Sequence, residues 1–310
     1  MIYDISGHVV AEKNRIGNSM NSFLHISLDD VEFCTKNLST GTLNSLFDEP
    51  LIRLLKNLHD SYGCVFSLYV FNLASSGFLN MPTKYRQEFI DNSNWLKIGF
   101  HIYDGGQIGD MSKTTALSNY NEFVTAAFNL CGGINSIDRM PRLNYYSGGL
   151  AACQGLRDAN CGIVGLLTAD DSRTSYYLSP EQADYVRENG ILYDHTNGLV
   201  FLDTAFRLDW FVNGFSSQYV YDEPTENNPY DELVLRYRSP QRGKLFSNLI
   251  VFLHEWRIYN SSYQIDTSMK NMLEQVCRFG LDYKYDFDYP QNRLGNITSL
   301  SLQYQMAEPS

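Results

Sequence analysis

Four places in this chain set acids or histidines just beyond a short apolar run. They are Asp29-Asp30, His101 with Asp104, Asp170-Asp171, and His254-Glu255. Carboxylates and imidazoles are the groups that move protons and ligate divalent cations, so these positions are where chemistry is expected. The first is the most informative. Phe23 to Leu28 alternates as a β-strand does, and it ends in two adjacent carboxylates with Glu32 two residues further on. Neighbouring strand residues point to opposite sides, so Asp29 and Asp30 can share one site only if the chain bends between them. Taken alone, this segment reads equally well as a solvated acidic turn. Four such strand ends in one chain point instead to a single rim that collects them.

The elements that would build that rim follow from periodicity. Leu51, Ile52, Leu54, Leu55 and Leu58 recur at helical spacing behind Asp48-Glu49-Pro50, and Gly63 ends that helix. The run 64–72 reads as a strand, 84–90 as a short helix and 95–103 as a strand. A helix at 121–130, closed by Gly132-Gly133, a strand at 142–147 and a helix at 149–158 come next. A strand is expected at 162–168, a helix behind Ser179-Pro180, and a strand at 199–208 that could form a hairpin arm with 191–194. The stretch 213–228 reads as a long loop and 233–246 is poorly specified. A buried strand at 249–253, a helix at 268–279 and a closing strand at 281–287 complete the series. Residues 1–21 read as an irregular lead-in, and 291–310 carry no assignment. Strands alternating with helices imply a mainly parallel sheet in an α/β fold. Without a Pro-, Gly- or Ser-rich linker, one domain over 1–310 is the economical reading.

Composition narrows the partners. The net charge of −11 argues against nucleic acid or an anionic membrane surface. No run approaches the ~18–20 apolar residues of a membrane span. The stretch Met1-Ile2-Tyr3-Asp4-Ile5 lacks the basic and apolar regions of a signal peptide, so a cytoplasmic location is expected. Six scattered cysteines without a CxxC spacing argue against a thiolate zinc site and are expected as reduced, buried thiols. The 22 Tyr, 18 Phe and 3 Trp serve mostly as core, but aromatic faces also stack on sugar rings, and Tyr103 and Trp256 are placed to do so.

In motif order, the chain from Phe23 to Phe287 resembles the polysaccharide deacetylase family, the NodB-homology group of carbohydrate esterases. Ser27-Leu28-Asp29-Asp30-Val31 is similar to that family's opening Thr-Phe-Asp-Asp-Gly. Gly99-Phe100-His101-Ile102-Tyr103-Asp104-Gly105 is similar to its His-containing motif, although Gly105 stands where a second histidine is usual. Arg139-Met140-Pro141-Arg142 offers two arginines for an Arg-x-Pro motif, with Arg142 favoured as the inward one. Asp170-Asp171 and Leu249 to His254-Glu255 are similar to the remaining motifs. The resemblance implies a distorted seven- or eight-stranded (β/α) barrel and a metal-dependent hydrolase that deacetylates an N-acetylated amino sugar. It implies Asp29 as general base, His254 as general acid, Arg142 or Arg139 beside the base, and Asp30 and His101 as ligands, with Asp104, Glu32 or water filling the gap. The divalent cation would be zinc, with manganese or magnesium as alternatives. Tyr103, Asp170, Asp171, Glu255 and Trp256 would line the carbohydrate site. Oligomeric state is not legible.

Two other functions use the same residues. A glycosidase would pair Asp29 or Asp30 with Glu255 or an aspartate at 170–171, at ~5–5.5 Å for retaining or ~6.5–9.5 Å for inverting chemistry. A carbohydrate-binding protein without catalysis would have lost its metal along with the second histidine.

Overall fold

A computed structural model describes residues 22–72, 74–102, 108–239 and 248–294, with the backbone of 2–3 and 9–11. The expected strands at 23–28, 64–72, 95–103 and 249–253 form its centre. They are β3 (Phe23–Val31), β4 (Phe66–Phe71), β5 (Leu96–Ile102) and β11 (Asn248–His254), preceded by a short antiparallel pair, β1 (Ile2–Tyr3) and β2 (Val9–Ala11). The main sheet is parallel, ordered β10-β11-β3-β4-β5-β6, with β6 (Ile137–Asp138) and β10 (Phe206–Arg207) at its ends. β12 (Asp286–Phe287) pairs with the start of β3. A second sheet holds β7 (Gly165–Leu167), β9 (Leu199–Leu202) and β8 (Ile191–Asp194), with β8 and β9 forming the expected antiparallel pair.

The two sheets enclose one interior. Phe23, Tyr69, Met140 and Ile250 of the main sheet and its margin pack on Leu167, Tyr193, Val200 and Leu202 of the smaller one. Backbone bonds from Val164 N to Arg139 O (2.9 Å) and Leu167 N to Pro141 O (3.1 Å) join β7 to the chain leaving β6. At the other join, β9 leads directly into β10. The regular ladder is interrupted at both joins, so hydrogen bonding does not close the ring into a regular barrel among the described residues.

Helices cover the outside for reasons local to the sequence. α2 (Pro50–Tyr62) starts with Glu49 accepting from Ile52 N, has Pro50 in its first turn, and ends at Gly63 with φ of 79°. Its five regularly spaced leucines and isoleucine are all buried. α6 (Pro180–Asn189) has a reciprocal capping box between Ser179 and Gln182. The remaining helices of six or more residues are α1 (Phe33–Ser39), α3 (Arg86–Asp91), α4 (Lys113–Cys131), α5 (Leu150–Asp158), α7 (Pro229–Arg238) and α9 (Thr267–Asp282). The four-residue α8 (Glu255–Ile258) follows β11, and α10 (Pro290–Arg293) lies near the end of the described chain.

Three expectations are corrected. Residues 142–147 are not a strand: Asn144–Tyr146 is a 3-10 turn with Tyr145 and Tyr146 at positive φ. Of the poorly specified stretch 233–246, the part to 238 belongs to the helix α7, and the strand expected over 281–287 is confined to β12, with 281–282 ending α9. Aromatic residues at 145–146, 283 and 285 carry strand propensity, which the local chain turns override.

Strand alternation sets what faces inward. On β3, Leu24, Ile26 and Leu28 pack under the helices, while Phe23, His25, Ser27 and Asp29 form the interior column. On β11 the same parity sends Leu249, Val251 and Leu253 outward, leaving Ile250, Phe252 and His254 for the interior. Gly99 on β5 has no side chain because a Cβ there would run into the Tyr69 ring.

Candidate active site

Asp29, Asp30, His101 and His254 all lie at the C-terminal ends of parallel strands. The β3–β11 register sets Asp29 directly opposite His254. Two irregularities bring in the others. Between Leu28↔Leu68 and Val31↔Val70 the pairing slips, so Asp29 and Asp30 together face the single residue Tyr69. Asp30 adopts φ of 57°, the bend that two adjacent carboxylates need if they are to serve one site. A matching slip between Val70↔Phe100 and Phe71↔Ile102 sets His101 out of register on β5. Bulges on both sides of β4 thus re-aim one carboxylate and one imidazole at each other.

The result is three connected pairs. Asp29 Oδ1 accepts from Arg142 Nη1 at 2.8 Å, with both side chains buried. The guanidinium also donates to Ser27 Oγ (3.0 Å) and Thr204 Oγ1 (3.0 Å from Nη2), and it stacks on Phe252 at 4.2 Å. His101 Nδ1 donates to the Arg142 carbonyl at 2.6 Å, which directs Nε2 at Asp30 Oδ1, 3.2 Å away. His254 Nδ1 donates to Asp209 Oδ2 at 2.6 Å, leaving its Nε2 without that tie.

Electrostatics follow from this packing. Burial works against charge on His254, but the carboxylates of Asp209, Asp29 and Asp30 outweigh it and raise the imidazole above its usual 6.5. His101 is likewise penalised by burial and raised by its Asp30 hydrogen bond and the neighbouring charges. Burial opposes ionisation of Asp30, but hydrogen bonds and charge from His101, the charge of His254 and a hydrogen bond from Trp256 hold its carboxyl below the usual range.

Other expected site residues fall elsewhere. Arg139 donates from Nε to the Gly162 carbonyl at 2.8 Å, and Gln291 accepts from its backbone N–H, so it joins strands and does not touch Asp29. Asp171 is a turn residue: it accepts from Arg173 N (3.0 Å) and pairs with the Arg173 guanidinium. Asp170 is held by Arg207 at 2.5 Å and Tyr146 at 3.1 Å with its side chain inaccessible. Glu255 is fully buried and engaged by three backbone amides. Trp256 is 42% exposed beside Asp30, as a residue at the mouth should be. Tyr103 and Asp104 lie outside the described residues, as does Gly105.

Asp209 escaped the sequence reading although its signal was present. It is an acid just beyond the run 199–208, and the β10–β11 register (Arg207↔Phe252) carries it to His254. Thr204 and Ser27 gave no signal, because a hydroxyl becomes informative only once its partner is known.

Comparison with known proteins adds likenesses of fold only. No family model matches the chain, and no curated protein matches it. Among solved structures, a protein from Mycobacterium smegmatis assigned as a polysaccharide deacetylase is similar over 93% of both chains, at 13% identity and TM-score 0.49. The T48 deacetylase, solved with substrate, is similar over 89% of this chain and 92% of its own, at 12% identity and TM-score 0.45. The Xyl-CE4 domain of a multidomain xylanase from the hindgut metagenome of Trinervitermes trinervoides is similar over 89% of this chain and 91% of its own, at 9% identity and TM-score 0.46. Identity this low carries no residue from one chain to another. The functional argument therefore rests on the groups at the mouth.

Those groups can be tested against a divalent cation. The Asp30 carboxylate and the His101 Nε2, its ring fixed by the Nδ1–carbonyl bond, are the oxygen and nitrogen donors such an ion takes, and they already face each other. They fit as two ligands. Among the described residues no group of three His, Cys, Asp or Glu side chains joins them.

Proposed function

We propose that this protein is a hydrolase that removes the acetyl group from an N-acetylated amino sugar in a polysaccharide or its precursor. The observation that carries the reading is the register pair Asp29↔His254: a carboxylate held by Arg142 and an imidazole held by Asp209, side by side at one mouth. Amide hydrolysis needs a base for water and an acid for the departing nitrogen, and these two groups supply both.

Asp29 takes the proton as water oxygen bonds to the acetyl carbon. When the C–N bond breaks, the His254 imidazolium gives its proton to the amine, releasing acetate and a free amino sugar. Asp209 keeps the imidazole oriented and charged for that step. Arg142 keeps Asp29 in place through Ser27 and Thr204. Asp30 and His101 would hold a divalent cation, whose chemistry there is polarisation of the carbonyl and of water. Trp256 offers an exposed aromatic face for a sugar ring.

The glycosidase alternative loses its second carboxylate, since Glu255 and Asp170 are both tied up by donors inside the protein. The deciding experiment measures acetate and free amine released from N-acetylglucosamine oligomers by protein loaded in turn with zinc, manganese or magnesium. Release that disappears in Asp29→Asn and His254→Asn supports the proposal. Carbohydrate binding without release by any loaded form would return the protein to the binding class.

A further inference from the structure

Glu255 follows His254 in sequence, yet its carboxylate serves a different strand. Oε2 accepts from Glu32 N (2.6 Å) and Phe33 N (2.7 Å), and Oε1 accepts from Cys34 N (2.7 Å). These are the first amides of α1, and they begin two residues beyond Asp30. Three N–H···O bonds of this length are short, and the carboxyl is closed to water. Burial outweighs these three donors and pushes the Glu255 carboxyl up to about 8.

Asp30 needs such a hold. A non-glycine residue at φ of 57° is in a disfavoured backbone region and persists only where its surroundings fix it on both sides. Upstream, Leu28 is fixed by pairing with Leu68. Downstream, after the single residue Val31, the amides gripped by Glu255 begin. We infer that Glu255 is a positioning residue: it locks Glu32–Cys34 so that Asp30 stays turned towards His101, and it couples that bend to the strand end carrying His254. The inference builds on the reading of the mouth as a deacetylase site.

The fold contains a matched control. Glu232 is also a buried glutamate that grips backbone amides, accepting from Thr225 N (2.8 Å) and Glu226 N (3.0 Å). Its remaining partners, the Thr225 hydroxyl and Arg236, lie on neither β3 nor α1.

The test compares Glu255→Gln, Glu255→Asp and Glu232→Gln in the full chain. One readout is the ring ¹H–¹⁵N correlation of His101, assigned by its loss in His101→Asn. It should shift in Glu255→Gln, shift less in Glu255→Asp, and stay put in Glu232→Gln. The second is acetate release: kcat should fall at least tenfold in Glu255→Gln with KM within twofold, recover partly in Glu255→Asp, and hold in Glu232→Gln despite a similar loss of Tm. If Glu255→Gln does not fold, Glu255→Asp carries the same comparison. A His101 signal identical to wild type, or equal activity losses in Glu255→Gln and Glu232→Gln, overturns the inference. If the wild-type chain releases no acetate from any substrate, the functional reading fails, and the His101 signal alone decides the role of Glu255.

Discussion

The interior face of β3 carries His25 at one end and Asp29 at the other, about 13 Å apart at strand spacing. Each belongs to a cluster of histidine, carboxylate and hydroxyl, and the two clusters behave oppositely. At the floor, Ser67 donates to Asp138 at 2.5 Å and accepts from His25 Nε2 at 2.9 Å, while Tyr69 donates to the same carboxylate at 3.1 Å. All four residues are fully buried. Serine, histidine and aspartate are the ingredients of nucleophilic catalysis, but here the serine gives its proton to the aspartate and no substrate can reach it. Burial takes His25 down to about 4. At the mouth, the surrounding carboxylates push His101 and His254 the other way. The residue types are shared. What separates the floor from the mouth is access and whether neighbouring carboxylates outweigh burial.

The largest effect expected from breaking the comparison is at Asp29. Asp29→Asn leaves Arg142 a carbonyl acceptor, so the chain folds, while acetate release falls by about 10²–10⁴-fold with the loss of the base. Steady-state kinetics on the metal-loaded variant check this, and turnover near wild type would remove Asp29 from that role.

The floor shows itself in acid instead. The unfolded chain protonates His25 near 6.5, whereas the folded chain resists until about 4. That contribution to stability is complete above pH 6.5 and declines as pH falls towards 4, by about 3 kcal/mol in total. His254, raised above 6.5, has the opposite sign: its contribution is complete below 6.5 and is lost as pH rises through its folded value. Urea midpoints measured from pH 7.5 to 4 should fall less steeply in His25→Gln than in wild type.

Asp138→Asn sharpens the contrast from the other side. It sets an amide against two buried hydroxyls and should cost about 1–3 kcal/mol, with kcat per folded molecule unchanged. Chemical denaturation together with active-site-normalised kinetics would show the two effects separately.

The smallest effect is expected at Asp209. Asp209→Asn removes the leading charge that raises His254, so the alkaline limb of the pH–rate profile should move to lower pH. Each unit of movement corresponds to about 1.4 kcal/mol, or a tenfold loss of rate on that limb. An unmoved limb would assign it to another group.

Much of this was legible in the residues themselves. Alternation along 23–28 and the continuous apolar run 249–253 predicted strands, and the structure keeps their period-2 parity through Asp29 and His254. Leucine spacing and capping residues announced the helix Pro50–Tyr62 almost to its ends. Even the need for a bend between Asp29 and Asp30 could be stated from the chain alone. Such signals are local, so a linear reading captures them.

Tertiary structure decided the pairings. Sequence favoured Arg142 over Arg139, but only the path of the chain beyond β6 placed Arg142 on Asp29 and Arg139 on the Gly162 carbonyl. Asp209 reached His254 through a parallel register that no spacing between positions 209 and 254 encodes. Glu255 followed the expected acid in the motif but was drawn to the first amides of α1, where three donors replace solvent. Hydrogen bonds and charge fall off within a few ångströms. Residues far apart in the chain therefore acquire their roles only when folding brings them within that reach.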